Sequence, residues 1–293
     1  MMKPARRKRL VAGILVALVL AGRVAAHAAG VPSAAATAPA AAKPAAAASC
    51  HPESFRVIID VGHTVDVPGA ISSHGATEYS FNLALGQAAV QGLSDAGFTA
   101  TSLLVTDVAP WQGLVQRATF ANAMRADLFL SIHYDSVPDE LLQTWTYDGQ
   151  ELHFNDDYPG YAIFISNDNA DRAGSLTFGR FLGQELQARG LHYTPHYTLP
   201  LMGHRRRTLV DAKAGVYTYD QLIVLRMTRM PAVLLEAGSI INRQEELELA
   251  TPERRATTAA AIVAAVQDFC AARGHSPPRP ASAPVTGAPA AGR

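Results

Sequence analysis

The chain has 293 residues, and 48% of them are hydrophobic, which is enough for one sizeable core and for one or two domains. It carries 25 basic and 25 acidic residues. Removing residues 1–28 as a signal peptide would take away six basic residues and leave 19 against 25 acidic ones. Such a net negative charge provides no electrostatic footprint for nucleic acid, so we exclude nucleic acid as a partner.

The N-terminus has the composition of a secretory signal peptide. A basic cluster between Lys3 and Arg9 precedes an apolar run from Leu10 to Ala21, and small residues with an A-x-A site follow at residues 26–28. This order predicts a signal peptide over residues 1–28. The apolar run is shorter than the roughly 20 residues that span a bilayer, so we expect no stable membrane anchor after cleavage; an uncleaved anchor is the alternative. The protein is therefore predicted to be exported, with the periplasm as the expected compartment.

Composition also predicts the limits of the folded part. Residues 29–49 are rich in Ala and Pro, which predicts a linker, and residues 275–293 are rich in Pro and Ala, which predicts a disordered tail. The folded catalytic domain is therefore expected over residues 50–274.

Two cysteines, Cys50 and Cys270, lie at the two ends of this predicted domain. An exported protein matures in an oxidising compartment, where a disulfide can persist. We expect the two cysteines to pair and to tie the ends of the domain together; two unrelated thiols are the alternative.

Runs typical of strands and helices alternate along the domain. Strands are predicted over residues 55–60, 98–105, 127–132, 161–165 and 231–235, and helices over residues 78–96, 113–124, 170–188 and 254–272. Near-continuous apolar strands that alternate with helices predict an α/β fold with a single, mostly parallel, twisted sheet and helices on both faces. Ligand sites in such folds gather outside the carboxyl ends of the strands.

Four side chains suited to metal binding or acid–base chemistry lie where these strands end. His63, His133 and Glu236 follow three of the strands, and Glu78 opens the first helix. A set of His, Glu and His is typical of a catalytic zinc, which takes three protein ligands and leaves a position for water. A second carboxylate nearby can take the proton of that water and pass it to the leaving nitrogen. Singly, each residue also has a plainer interpretation, as a turn histidine, a helix-start acid or a capping group.

Several motifs make the pattern more specific. They are Ile59-Asp-Val-Gly-His63, Gly75-Ala-Thr-Glu78, Ala126-Asp-Leu-Phe-Leu-Ser-Ile-His133 and Pro231-Ala-Val-Leu-Leu-Glu236, followed by Asn242 with Glu245 and Glu246. In this order they resemble the zinc-dependent N-acetylmuramoyl-L-alanine amidases of type 3, over nearly all of the predicted domain. The resemblance implies one Zn²⁺ held by His63, Glu78 and His133, with Glu236 as the catalytic acid–base. It also implies a peptidoglycan substrate, cleaved between N-acetylmuramic acid and the L-alanine of the stem peptide.

Four further residues are candidates for supporting the ligands or contacting substrate: Asp60, Arg226, Tyr134 and Asn242. Asp60 is interpreted as a partner of a ligand histidine, or else as a turn-forming aspartate. Tyr134 stands where the family usually has a small residue, and three interpretations are open: it narrows the cleft, stacks on a sugar, or only packs on the surface.

Residues 137–160 are extra chain between His133 and the next predicted strand, with several acidic and aromatic side chains. Some cell-division members of the family carry an insert hereabouts that covers the site until an activator protein moves it. A lid or an activator-binding segment is therefore a hypothesis for this insert, and a plain surface loop or a wall of the substrate cleft is the alternative.

A second cluster of interest contains His192, His196 and His204, followed by Arg205 to Arg207. Three interpretations stay open for it: a second metal site, a basic loop near an anionic substrate, or neutral loop histidines.

Two other functions compete with the amidase. An exported zinc peptidase of the carboxypeptidase kind would use the same ligand types, but it would release free amino acids rather than an intact stem peptide. A non-catalytic peptidoglycan-binding regulator would be expected to lack a ligand or the catalytic acid, and all four residues are present here.

Overall fold

The computed structural model describes residues 50–108 and 110–274. The predicted signal peptide, linker and tail, residues 1–28, 29–49 and 275–293, lie outside them. Within the described residues, no helix has both the length and the apolar character needed to cross a membrane.

Strands and helices alternate along the described chain. The strands are β1 (Val57–Val61), β2 (Ser102–Leu104), β3 (Leu128–Asp135), β4 (Gln143–Tyr147), β5 (Gln150–Phe154), β6 (Ala162–Ile165), β7 (Thr208–Asp211), β8 (Val216–Thr218) and β9 (Ala232–Ser239). The α-helices are α1 (Glu78–Asp95), α2 (Pro110–Ala123), α3 (Arg172–Ala188), α4 (Ile223–Met227), α5 (Arg243–Leu249) and α6 (Pro252–Gly274).

Seven of the strands form one sheet in the order β2-β1-β3-β9-β6-β8-β7, while β4 and β5 form a separate antiparallel hairpin. The pairings β2–β1, β1–β3, β3–β9 and β6–β8 are parallel. The pairings β9–β6 and β8–β7 are antiparallel. The predicted α/β fold with a mostly parallel sheet is therefore confirmed.

Helices cover both faces of this sheet. Alternate residues of each central strand therefore pack into two different cores, one on each face. Ile59 and Leu130 pack with α1, α3 and α6, on what we call the α1 face. Ile58 and Phe129 pack with α2 and α4, on the α2 face. This alternation fixes the face from which each residue at the strand ends projects.

Helix α1 begins at Glu78 because Thr77 caps it, its hydroxyl accepting a hydrogen bond from the backbone N–H of Ser80 at 3.3 Å. Leu85, Ala89 and Leu93 are fully buried and hold the helix against the sheet. Gly97, with φ of 91°, follows the helix end, as the sequence predicts. The cap therefore places Glu78 at the carboxyl edge of the sheet.

A disulfide joins Cys50 and Cys270, whose Cα atoms are 5.3 Å apart. It links the segment before β1 to helix α6 across 220 residues of sequence. Phe269 lies beside it and contacts Phe55 edge-on, so the chain entering β1 is held to α6 by packing as well.

Candidate metal centre

The structure brings His63, Glu78 and His133 together at the carboxyl edge of the sheet. Their donor atoms all lie within 4.8 Å of one another. Glu78 is 5% exposed and lies between the two imidazoles. Its Oε2 is 3.0 Å from Nε2 of His63, and its Oε1 is 2.9 Å from Nδ1 of His133.

This set of donors fits a divalent cation such as Zn²⁺. Burial by itself would raise the pKa of Glu78, but hydrogen bonds from His133 and His63 and their charges lower that pKa below its usual range. The carboxylate is therefore anionic, with one nitrogen of each histidine converging on it. Two histidine nitrogens and one carboxylate oxygen are the ligand types of catalytic zinc sites.

The local backbone is shaped around this cluster. A side chain at Gly62 would collide with the ring of His133, and one at Gly69, where φ is 79°, would collide with Glu78 and His63. His63 itself has φ of 68°, a conformation that residues other than glycine seldom adopt. Such backbone conformations persist where the surrounding structure enforces them, and they concentrate at functional sites.

A buried network supports His63 from behind. Arg117 donates hydrogen bonds to Asp60, to the carbonyl of Val61 and, at 2.7 Å, to the carbonyl of His63. Ser131 donates to the other oxygen of Asp60 at 2.7 Å. Asp60 is therefore not the direct partner of a ligand histidine that the sequence suggests; it acts on His63 through Arg117. In the sequence, Arg117 belongs to a motif of the family resemblance but has no assigned role, and its place on the buried side of helix α2 is the signal of a supporting role.

The turn that leads into Glu78 is anchored by hydrogen bonds to Glu246, a buried residue of α5. The hydroxyls of Ser72 and Ser73 donate to its two carboxylate oxygens at 2.7 and 2.8 Å, and the ring of His74 contacts the same carboxylate. Sequence reasoning noted Glu246 only as part of a motif and gave it no role.

Glu236 lies beside this metal-binding set because it is the register partner of His133 on the neighbouring strand. Its Oε2 is buried and has no hydrogen-bond partner among the described residues. Burial raises the pKa of Glu236 well above its usual value; the charges of Asp135 and Glu78 add to this shift, and that of Arg205 opposes it. The arrangement provides a carboxyl group able to take up and release a proton next to the metal-binding set.

A second buried polar cluster adjoins Glu236. Tyr197 donates to Asp135 at 2.7 Å, and Nε2 of His196 is 3.7 Å from the other oxygen of Asp135. Burial raises the pKa of Asp135 to about 7, and burial together with the charge of Arg205 lowers the pKa of His196 to about 4. His196 is therefore neutral near pH 7. Arg205 donates at 3.2 Å to the carbonyl that follows Asp135, so its charge faces this cluster.

The three histidines considered for a second metal site do not come together. His192 and His204 are exposed, whereas His196 is buried. In the part of the chain that the structure describes, His63, Glu78 and His133 are the one set of three or more potential ligands that could hold a metal ion.

Two of the three remaining candidates, Tyr134 and Asn242, have positions that do not suit substrate contact. Tyr134 is 4% exposed and packs on Phe81 on the α1 face, because it follows His133 directly and so points to the opposite side of β3. Asn242 is buried and caps α5, accepting a hydrogen bond from the N–H of Glu245 at 2.8 Å. Arg226 is exposed at the end of α4. Substrate roles for Tyr134 and Asn242 are therefore corrected to packing and capping.

The insert over residues 137–160 contains the β4–β5 hairpin, which is fastened to the body of the domain. Trp145 donates through Nε1 to the carbonyl of Ser73 at 2.9 Å. Arg243 forms an ion pair with Asp156 and lies over the ring of Trp145 at 5.1 Å. Movement of the hairpin would break these contacts, and its role as a lid stays a prediction.

The fold and the site together have the arrangement of a metal-dependent hydrolase, with a His–Glu–His set beside a partly buried carboxyl group at the carboxyl edge of a mostly parallel sheet. Comparison with known proteins makes this class specific. The family model for N-acetylmuramoyl-L-alanine amidases matches residues 57–268.

Individual relatives agree with the family match. The N-acetylmuramoyl-L-alanine amidase Rv3717 of Mycobacterium tuberculosis is 25% identical over 209 residues, which cover 71% of this chain and 75% of that protein. The crystal structure of the amidase Ami1 from Mycobacterium smegmatis superposes with a TM-score of 0.58 at 20% identity, over 75% of this chain and 98% of that one. The CwlD amidase of Clostridioides difficile, solved in complex with the GerS lipoprotein, superposes with a TM-score of 0.52 at 18% identity, over 73% of this chain and 98% of that one.

The chain belongs to the N-acetylmuramoyl-L-alanine amidase family. The family and the hydrolase class predicted from the sequence are thereby confirmed.

Proposed function

We propose that this protein hydrolyses the amide bond between N-acetylmuramic acid and the L-alanine of the stem peptide in peptidoglycan. The observation that carries the proposal is the convergence of His63, Glu78 and His133 beside Glu236 in a chain of this family. One Zn²⁺ is the metal that this donor set suits.

His63, Glu78 and His133 would hold the ion, and each is fixed by its surroundings. Arg117 holds the backbone of His63, the capped start of α1 holds Glu78, and the sheet holds His133. When bound, Zn²⁺ supplies a Lewis acid that polarises the scissile carbonyl and lowers the pKa of water.

Glu236 is the acid–base of the proposed reaction. Its unpartnered Oε2 can accept a proton from the attacking water and then deliver it to the nitrogen of the departing L-alanine. The same carboxyl group serves both steps, first as the carboxylate that takes the proton and then as the acid that gives it up.

The products identify the reaction. We expect the zinc-loaded protein to convert purified muropeptides into sugar free of peptide and an intact stem peptide that begins with L-alanine, detected by mass spectrometry. Cleavage within the peptide would instead indicate the exported zinc peptidase. Absence of cleavage by fully zinc-loaded protein, with or without added envelope extract, would indicate the non-catalytic regulator.

We further propose that the protein acts outside the cytoplasm, in the periplasm, after removal of residues 1–28. The composition of that segment supports export. An activator protein that engages the β4–β5 hairpin is a second proposal, supported by the solved complex of the CwlD amidase with a lipoprotein. Deleting residues 143–154 tests this proposal. If basal and stimulated activity both stay unchanged, the hairpin neither covers the site as a lid nor binds an activator.

A further inference from the structure

A cavity of about 310 Å³ lies directly behind the metal-binding set, on the α2 face of the sheet. Its floor is a row of three register neighbours, Asp60, Ser131 and Leu234. His133 and Glu236 stand two residues further along β3 and β9, on the same face. His63 and His133 also line the cavity, so it adjoins the place where the scissile bond of the proposed substrate would lie.

The walls of the cavity are mostly apolar, with side chains from α2, α4, the loop before α2 and the loop between β1 and α1, among them Val67, Val108, Leu114 and Val224. Its two charged residues, Asp60 and Arg117, are paired with each other. The cavity consequently presents no free charge from these two residues to a ligand.

One polar atom in the cavity is left without a partner. The hydroxyl oxygen of Thr106, a residue that is 9% exposed, is buried and makes no hydrogen bond within the described residues. Buried hydroxyl groups nearly always have a hydrogen-bond partner, and an unsatisfied one costs free energy. A ligand with a hydrogen-bond acceptor surrounded by apolar atoms would accept a hydrogen bond from Thr106 and pack against the apolar walls.

We propose that this cavity binds the acetamido group of the N-acetylated sugar, with Thr106 donating a hydrogen bond to its carbonyl oxygen. The inference rests on the proposed function and adds a specificity-determining residue to it. In the proposed substrate the acetamido group sits on the ring carbon next to the one that bears the lactyl arm, so it lies close to the scissile bond.

Other groups near that bond suit the cavity less well. The lactyl and alanine methyl groups have no hydrogen-bond acceptor for the hydroxyl of Thr106. A free ammonium group would lose its hydration among apolar walls without gaining a partner charge. The protein should therefore distinguish an N-acetylated sugar from one with a free amine.

Kinetics on two matched muramoyl peptides, one N-acetylated and one with a free amine, test the inference. We expect wild type to prefer the acetylated substrate by at least about tenfold in kcat/KM, and Thr106→Val to lose about fivefold on that substrate alone, the size of one neutral hydrogen bond. Val224→Phe, which fills the cavity, should abolish the preference. Thr208→Val, at an exposed position of the edge strand β7, is the matched control and should behave as wild type.

A binding measurement separates failure of this inference from failure of the proposed function. In saturation-transfer NMR with N-acetylmuramic acid, the acetyl methyl protons should receive stronger transfer than the lactyl methyl protons, and Thr106→Val should weaken the transfer. Equal cleavage of both substrates, with equal transfer to both methyl groups, would overturn the inference and leave the amidase intact. Preferential transfer without amide cleavage would uphold the sugar site and overturn the reaction.

Discussion

His133 and Glu236 are register partners on the adjacent parallel strands β3 and β9, and their side chains leave the sheet on the same face. A metal-binding nitrogen and the proposed acid–base are therefore set side by side by backbone pairing. Because strands are more rigid than loops, this pairing fixes the distance between them without a closing motion. The position of Glu78, by contrast, depends on the turn before α1 and on the start of that helix, so it should be sensitive to residues that hold the turn.

Replacing Glu246 by Gln should weaken zinc binding about tenfold, although residue 246 does not touch the metal set. Glu246 anchors Ser72, Ser73 and His74 in the turn that leads into Glu78, and losing such support typically costs a metal site 10–100-fold in affinity. The measurement is a zinc titration against a competing chelator. Glu248→Gln, an exposed change in the same helix, is the control; equal affinities in the two variants would contradict the role of Glu246.

Replacing both Cys50 and Cys270 by Ser should lower the free energy of unfolding by up to about 5 kcal/mol, because the bond closes a loop of 220 residues in the unfolded chain. Urea denaturation measures the change, with reduced wild type as a second comparison. Zinc content should not change, since the bond lies at the other end of β1 from His63. Loss of zinc together with stability would show that the disulfide shapes the site.

The contribution of His196 to the free energy of unfolding should fall as the pH is lowered from about 6.5 to 4. Its pKa is about 4 in the folded protein, where burial disfavours the charged ring, and 6.5 in the unfolded chain, so the unfolded state binds the proton first. The difference corresponds to about 3 kcal/mol. Asp135, with its raised pKa, acts in the opposite sense but is present in both proteins compared.

The measurement for His196 is the free energy of unfolding of wild type and of His196→Gln at several pH values between 4 and 7.5. As the pH is lowered, the free energy of unfolding of wild type should fall relative to that of the variant. Parallel curves for the two proteins would show that His196 is not held neutral by its burial.

Much of the fold follows from periodicity that is visible in the sequence. The apolar runs of β1, β3, β6 and β9 and the apolar stripes of α1 and α3 predict a parallel sheet covered on both faces. The β4–β5 hairpin was not predicted, because most of its side chains are exposed and its pattern has no apolar face. The predicted strand over residues 98–105 is reduced to Ser102–Leu104, since Phe98 is buried against Phe55 instead.

The convergence of His63, Glu78 and His133 was predictable because each lies at a strand exit or a helix start and matches a family motif. The roles of the supporting residues were harder to predict from the sequence, because Arg117, Asn82 and Glu246 act through contacts between segments that are far apart along the chain. Asn82, buried one turn after Glu78, donates to the carbonyl of Gly62 at 3.1 Å. Two errors could have been avoided: the period of two along β3 turns Tyr134 away from the site, and Asn242 with Glu245 has the spacing of a helix N-cap.

The most direct test of a metal set with a separate acid–base compares His133→Ala and Glu236→Gln for bound zinc and for amide cleavage of a muropeptide. The account predicts that His133→Ala loses both zinc and activity, whereas Glu236→Gln keeps about one zinc per chain and loses at least about a hundredfold in kcat. A Glu236→Gln protein that holds zinc and cleaves the amide at the wild-type rate would contradict it.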